Sequence, residues 1–215
     1  MGDSEVTAAI LKRALDYPYA APRRFYLYRD GAAHEAPPGG FDLSDRTPLL
    51  SYGANSAPEA LARKLAPLPG VELPVERAEL EGFDVVYSAH VSPYGAVPAT
   101  LHESPGTTAP VFVLHPTPEQ RRLLTASEPN YDLVEVEGLA AYRSKHGCLQ
   151  LDGTPVALAA VRSRGRTLPE LDEPAVLERV RAAVAPELDL AAFVRDCVER
   201  DGLKPLRIDA APDGQ

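Results

Sequence analysis

The feature that most constrains the fold is the stretch 49–59, where an apolar strand turns directly into a helix. Two leucines supply the strand, and Gly53 then permits a backbone conformation closed to residues with a Cβ atom. Ser56 and Glu59 have the spacing of a capping box, and Pro58 suits a first helical turn. The start of a helix presents free N–H groups that favour a carboxylate or oxyanion. The stretch is therefore a candidate binding loop, although an ordinary strand–turn–helix connection has the same pattern.

Composition and charge exclude several classes of protein. The 215-residue chain carries a formal net charge of −9, so a surface that binds nucleic acid is not expected. No apolar run reaches the roughly 18 residues of a membrane span, and the first residues lack the basic and apolar regions of a secretory signal. Two cysteines are too few for a disulfide framework. We therefore expect a cytoplasmic protein, with its oligomeric state left open.

The sequence predicts three parts. Residues 1–48 form an N-terminal helical and irregular extension, with a helix over 4–15 and a possible short strand over 26–28. This extension wraps around or precedes the main domain, which spans 49–208. Residues 209–215 are expected to be a disordered tail.

Short strands and three helices make up the rest of the main domain. Pro105 and Gly106 fit the centre of a type II turn between two strands. Thr117 and Gln120 form a second capping box and begin a helix that ends near residue 127. The expected strands are 75–80, 83–87, 96–101, 111–114, 133–136, 139–142, 148–151 and 156–161, and the last helices are 174–184 and 189–200.

Few residues in the chain suggest chemistry. The five histidines are scattered and form no HxH or HExxH pair, so no metal site is expected. There is no GxSxG motif and no cysteine with an evident activating group. Ser88 and His90, two apart on a strand, share a face as packing residues do. Glu128 stands out because it follows a capped helix, precedes Pro129 and lies near Tyr131, although most glutamates are solvated surface groups.

Motifs across residues 49–136 resemble those of the gamma-glutamylcyclotransferase-like family. That family has a Tyr-Gly-Ser-Asn loop after its first strand, and this chain has Tyr52, Gly53, Ala54 and Asn55. The family's later motifs are matched in the same order by Ala-Glu-Leu-Glu-Gly-Phe-Asp (78–84), a glycine-led strand (95–101), Ser-Pro-Gly (104–106), an apolar strand (111–114), the helix from Thr117, Glu128 and Tyr131.

The resemblance implies an α+β fold with a mixed β-barrel-like sheet and peripheral helices. It also implies an amide-cleaving cyclotransferase, in which the α-amine of a γ-glutamyl compound attacks its own γ-carbonyl to give 5-oxoproline and a free amine. Glu128 would be the general acid/base, and the 52–55 loop would bind the substrate. Tyr131 and Tyr94 would line the pocket, although each could equally be ordinary core. The partner would be a small-molecule amide, and no cofactor is needed.

Two departures from the family leave other functions open. Ala54 replaces a serine, which removes a hydroxyl but keeps the backbone N–H donors, and Glu128-Pro129 replaces the usual Glu-Gly. Residues 1–48 have no counterpart. The same fold could act on another small amide or carbamoyl substrate, or it could be a binding or structural module without turnover. A glutamate that pointed into solvent rather than into a cavity would remove both enzyme hypotheses.

Overall fold

The computed structural model describes residues 3–37, 39–206 and 208. The predicted tail, 209–215, lies outside these residues. In chain order the elements are α1 (Asp3–Leu15), β1 (Tyr26–Arg29), β2 (Ala32–His34), β3 (Leu49–Ser51), a 3₁₀ turn (Ala54–Ser56), α2 (Pro58–Lys64), β4 (Glu72–Tyr87), β5 (Ala99–Leu114), α3 (Pro118–Ala126), β6 (Tyr131–Val136), β7 (Leu139–Ser144), β8 (Gln150–Leu151), β9 (Thr154–Pro155), β10 (Ala157–Leu158), β11 (Glu170–Leu171), α4 (Glu173–Val184) and α5 (Leu190–Glu199). No helix among the described residues is both long and apolar enough to cross a membrane.

Nine of the strands form one mixed sheet. Its order is β11-β10-β4-β5-β3-β7-β6, and the hairpin β1–β2 joins it through β4. The pairs β3–β7 and β10–β11 are parallel, whereas the other pairs are antiparallel. The expected α+β class, with a mixed sheet and helices around it, is confirmed. Within the described residues β11 and β6 do not pair, so the sheet stays open and does not close into a barrel. The barrel-like part of the prediction is not confirmed.

The strands β4 and β5 form one long hairpin where the sequence predicts four separate strands. Each strand has 16 residues, and the two are antiparallel partners over most of their length. The ladder shifts between Glu81 and Phe83, where residues 104–107 lie opposite Gly82. Gly106 has the expected positive φ of 84°. The turn predicted at Pro105 and Gly106 is therefore wrong as a boundary between two strands. Both residues lie in a bulge inside β5.

The two predicted capping boxes have opposite outcomes. Thr117 and Gln120 bond reciprocally at the start of α3, as expected. Ser56 does not cap α2. The N-cap is Ala57, which makes no side-chain bond, and the Ser56 hydroxyl donates to the carbonyl of Gly53 over 2.8 Å. The capping box at Ser56 is wrong because an intervening 3₁₀ turn moves the helix start by one residue.

The chain before residue 49 contributes to both the sheet and the core. Helix α1 packs against α4 and α5, and β1 pairs with β4, which confirms the short strand expected at 26–28. Tyr17 and Tyr19, just after α1, are buried in the main hydrophobic cluster. The Tyr17 hydroxyl accepts a hydrogen bond from the backbone N–H of Ala99 over 2.7 Å. The start of β5 is therefore held in part by the N-terminal segment.

A buried ion pair joins β4 to the chain that precedes β11. Asp84 is fully buried, and its two carboxylate oxygens accept hydrogen bonds from Arg166, each over 2.8 Å. The hydroxyl of Ser163 donates to the same carboxylate over 2.7 Å. Arg166 also donates to the carbonyl of Val161 and to Glu170. Both charges are thus satisfied inside the protein.

Glu173, at the start of α4, is a second buried carboxyl group, and unlike Asp84 it has no cation partner among the described residues. One oxygen accepts from the N–H of Val97 over 2.7 Å, and the other has no partner among the described residues. Burial raises the pKa of Glu173 well above its usual value. The folded protein therefore favours the protonated acid at this position.

We expect Glu173→Gln to become more stable relative to the wild type as the pH rises. Because the folded pKa is raised, the native state holds a proton that the unfolded chain releases above about pH 4.5. The wild type therefore loses stability, by up to ~1.4 kcal/mol per pH unit, until the folded pKa is passed. Glutamine does not titrate, so the stability of the variant has no such dependence on pH. Urea unfolding from pH 4.5 to 8 would show it, with the exposed Glu135→Gln as control. A constant difference across that range would contradict the prediction.

Candidate active site

A cavity of about 520 Å³ lies between the end of β3, helix α2, the α3–β6 loop and the residues that follow α1. Every residue that the sequence suggested for the site lines it. They are Tyr52, Gly53, Ala54, Asn55, Tyr94, Glu128 and Tyr131. Glu128 therefore points toward the cavity beside the 52–55 loop.

Three polar side chains form a contiguous cluster in the wall of this cavity. Asn55 donates its side-chain N–H to Oε1 of Glu128 over 2.9 Å. The ammonium group of Lys64 contacts the same oxygen and donates to Oδ1 of Asn55 over 2.7 Å. The side chains of Glu128 and Lys64 are only 15% and 18% exposed. Oε2 of Glu128 accepts no hydrogen bond from the described residues, so it is the oxygen left to meet a ligand.

Local structure explains why these groups meet. Lys64 is the last residue of α2, and Asn55 lies in the 3₁₀ turn before that helix. Glu128 follows α3, where its N–H donates to the carbonyl of Thr125 and its own carbonyl accepts from the N–H of Tyr131. These two bonds fix the loop on either side of the carboxylate. Because β3 is parallel to β7 and β6 is antiparallel to β7, the end of β3 and the start of β6 lie at the same end of the sheet.

Tyrosines form much of the remaining wall. Tyr131 donates to the carbonyl of Ala99 over 2.8 Å, and the hydroxyl of Tyr52 donates to the carbonyl of Tyr142. Tyr94 stacks on Tyr17 with 6.3 Å between the ring centres. Burial raises the pKa of Tyr52, and the negative charge of Glu128 adds to this rise. The same two causes raise the pKa of Tyr94. The phenols therefore remain neutral hydroxyl groups.

Two buried hydroxyl groups that line the cavity have no partner among the described residues. They are Oγ of Ser51 and the phenol of Tyr19, on residues that are 5% and 8% exposed. Buried polar groups nearly always have a hydrogen-bond partner, either in the protein or in water. Their lack of one marks positions where a bound molecule could supply it.

Gly53 leaves no room for a side chain. Its φ of −133° and ψ of −141° lie outside the helical and β regions. A Cβ atom at this position would lie 2.7 Å from the hydroxyl of Tyr17 and 3.5 Å from Cβ of Ala99. Close approach of the buried Tyr17 ring is therefore one reason why a glycine is needed here.

We expect Gly53→Ala and Tyr17→Phe to be coupled in a double-mutant cycle. The added methyl group collides with the Tyr17 hydroxyl, and removal of that hydroxyl relieves the collision. The double variant should be more stable than the sum of the single losses predicts, by about 1 kcal/mol. Urea unfolding of the four proteins measures this coupling. Strictly additive losses would show that the two residues do not oppose each other.

Sequence patterns missed Lys64 and Tyr17. Lys64 ends a helix as basic residues commonly do, so nothing in its own surroundings marked it. Tyr17 lies far from the loop in sequence and reaches the cavity only because α1 packs against the C-terminal helices.

Among the described residues no group of three or more His, Cys, Asp and Glu side chains could hold a metal ion. Comparisons with protein-family models, with curated proteins and with solved structures find no match.

Proposed function

We propose that the protein is a cyclotransferase-like enzyme with a gamma-glutamylcyclotransferase-like fold, acting on a γ-glutamyl or related small amide. The observation that carries the proposal is the 2.9 Å hydrogen bond between Asn55 and Glu128 in the wall of one cavity. This bond joins the loop to the carboxylate. The resemblance implies that the loop binds substrate and that the carboxylate transfers protons. Without this juxtaposition the resemblance would be one of motifs alone.

The attacking nitrogen must lose protons and the departing nitrogen must gain them, and one carboxylate can carry out these transfers. Glu128 removes a proton from the substrate's α-ammonium group, and the free amine then attacks the γ-carbonyl carbon. A carbon–nitrogen bond forms to close the five-membered ring. The protonated Glu128 returns the proton to the departing nitrogen as the original amide bond breaks. The ring nitrogen then gives its second proton to the carboxylate, which passes it to the released amine. The products are 5-oxoproline and an amine, and neither water nor an oxidant is consumed.

The hydrogen bonds of Glu128 assign separate roles to its two oxygens. Oε1 is held by Asn55 and Lys64, whereas Oε2 has no partner among the described residues. We assign the proton transfers to Oε2. A carboxylate fixed through one oxygen keeps the other in a constant position, and such positioning can lower a barrier substantially.

The binding loop can also stabilise charge on the substrate. The backbone N–H groups of Gly53, Ala54 and Asn55 donate to no acceptor in the described part of the chain. Free N–H donors of this kind stabilise the oxygen of a carbonyl under attack, or a substrate carboxylate. Ala54 supplies no hydroxyl, so recognition here depends on the backbone.

The ion pair at Glu128 favours a second candidate, a binding module without turnover. Lys64 forms an ion pair with the Glu128 carboxylate, so the two charges neutralise each other in the cavity wall. Such a pair can organise a pocket for a polar ligand without any proton transfer. An amide or carbamoyl compound other than a γ-glutamyl one remains a further candidate ligand, because Ala54 removes a hydroxyl from the loop.

A substrate panel separates these candidates. The purified protein would be incubated with γ-glutamyl dipeptides and γ-glutamylamines, and 5-oxoproline and the released amine would be measured by mass spectrometry. Equal molar amounts of both products are expected from at least one compound. Binding without either product would favour the module. A folded protein that neither binds nor converts any member would exclude γ-glutamyl compounds as its ligands.

A further inference from the structure

The mouth of the cavity is basic although the whole chain is acidic. Arg13, Arg63 and Lys64 line the cavity, and Glu128 is the one carboxylate among the described residues that line it. Lys64 is engaged with Glu128, which leaves the two arginines, both exposed on the solvent side. Arg13 comes from α1 and Arg63 from α2, so two helices place guanidinium groups at the same opening.

Aromatic rings hold both guanidinium groups in place. Arg13 lies over the ring of Tyr94 at 5.3 Å, and Arg63 lies over the ring of Tyr19 at 4.8 Å. Stacking uses the face of a guanidinium group and leaves the N–H groups on its edge able to donate. Arg63 donates one of them to Glu59 over 2.6 Å, and Arg13 has no carboxylate partner in the described ranges.

The Tyr19 hydroxyl lies near both of these cations. Tyr19 is 8% exposed and lines the cavity, and its hydroxyl bonds to none of the described residues. Burial raises the pKa of Tyr19, while the nearby Arg13 and Arg63 guanidinium groups oppose that rise. Both cations therefore act on the same hydroxyl group. An oxyanion placed there would receive the phenol's hydrogen bond together with charge-assisted bonds.

We propose that Arg13, Arg63 and Tyr19 form an anion-binding subsite for a carboxylate or phosphate group at the mouth of the cavity. The subsite lies on the wall supplied by the N-terminal segment and α2, apart from the Glu128 carboxylate. It selects ligands that carry a negative charge at the end that faces solvent. The assignment holds whichever reaction, if any, takes place at Glu128.

Titration with small anions tests the subsite without a substrate. Acetate and inorganic phosphate would be added to ¹⁵N-labelled protein at constant ionic strength, and NMR shifts would be followed, with acetamide as the neutral counterpart of acetate. Saturable shifts around Tyr19 and Arg13 are expected for an anion and not for acetamide. The anion with the lower Kd identifies the preferred group. Equal shifts with acetamide, or no saturable shift with either anion, would overturn the proposal.

Charge variants locate the subsite. Arg13→Gln and Arg63→Gln should each raise the Kd of the preferred anion about tenfold or more, as expected for a lost charge-assisted bond. Arg179→Gln, an equal charge change on the exposed face of α4, is the control. Glu59→Gln frees Arg63 and should lower the Kd severalfold, a gain that structural damage would not produce. Losses no larger than that of the control, or unchanged affinity in Glu59→Gln, would contradict the assignment.

Discussion

Glu128→Gln is expected to lower the rate of 5-oxoproline formation by about 10²–10⁴-fold, the usual contribution of a general acid/base. The glutamine side chain keeps the size of the glutamate, and its oxygen can still accept from Asn55 and Lys64. It cannot carry a proton from the substrate's ammonium group to the departing nitrogen. The loss should therefore appear mainly in kcat, while substrate affinity changes less.

Glu135→Gln is the matched control for this variant, since it makes the same chemical change on an exposed residue of β6. Steady-state rates would be measured for both variants with the best substrate of the panel, and urea unfolding would verify that each is folded. A rate for Glu128→Gln that equals the wild-type rate would remove this residue from the reaction. A loss confined to KM would make it a binding residue only.

Arg166→Met is expected to cost about 3–5 kcal/mol of unfolding free energy, the usual loss when one member of a buried ion pair is removed. Asp84 would remain fully buried without the guanidinium group that now meets both of its oxygens. The double variant Asp84→Asn with Arg166→Met removes both charges. It should recover part of the loss, because no buried charge is left uncompensated.

Arg164 provides a control from the same segment. It pairs with Glu79, another carboxylate on β4, but both side chains are more than half exposed to solvent. Arg164→Met should therefore destabilise the protein far less than Arg166→Met. Urea unfolding of the two variants makes the comparison. Equal losses would mean that burial of the Asp84–Arg166 pair adds nothing to its effect.

The fold was predictable where local signals agree and unpredictable where long-range pairing decides. The capping box at Thr117 needs only residues within one helical turn, and it is confirmed. Pro105 and Gly106 are strong turn residues, yet they lie inside a strand because the ladder of β4 and β5 continues on both sides of them. No short window contains that information. The start of α2 was displaced by a local feature, the 3₁₀ turn that directly precedes it.

The candidate site was predictable in part. Asn55 and Glu128 were suggested by motif and position, and both line the cavity. Lys64, which touches both, was missed because a lysine at a helix end is ordinary. Arg13 and Tyr19 were missed because their place in the cavity depends on how α1 docks. The chain's overall charge of −9 concealed the basic mouth, since a sum over the sequence carries no position.

Helix α1 is translated before α4 and α5, the helices against which it packs, so it is expected to dock only after they have been made. Its packing partner α5 spans Leu190–Glu199, and Ala14 of α1 and Val194 of α5 both lie against Gly95. At about 5–20 residues per second, the ribosome needs several seconds to pass from Glu128 to the end of α5. Until then the nascent chain can hold the binding loop and the carboxylate but lacks the wall that carries Arg13 and Tyr19. The basic entrance of the cavity would therefore form only after α5 has been synthesised.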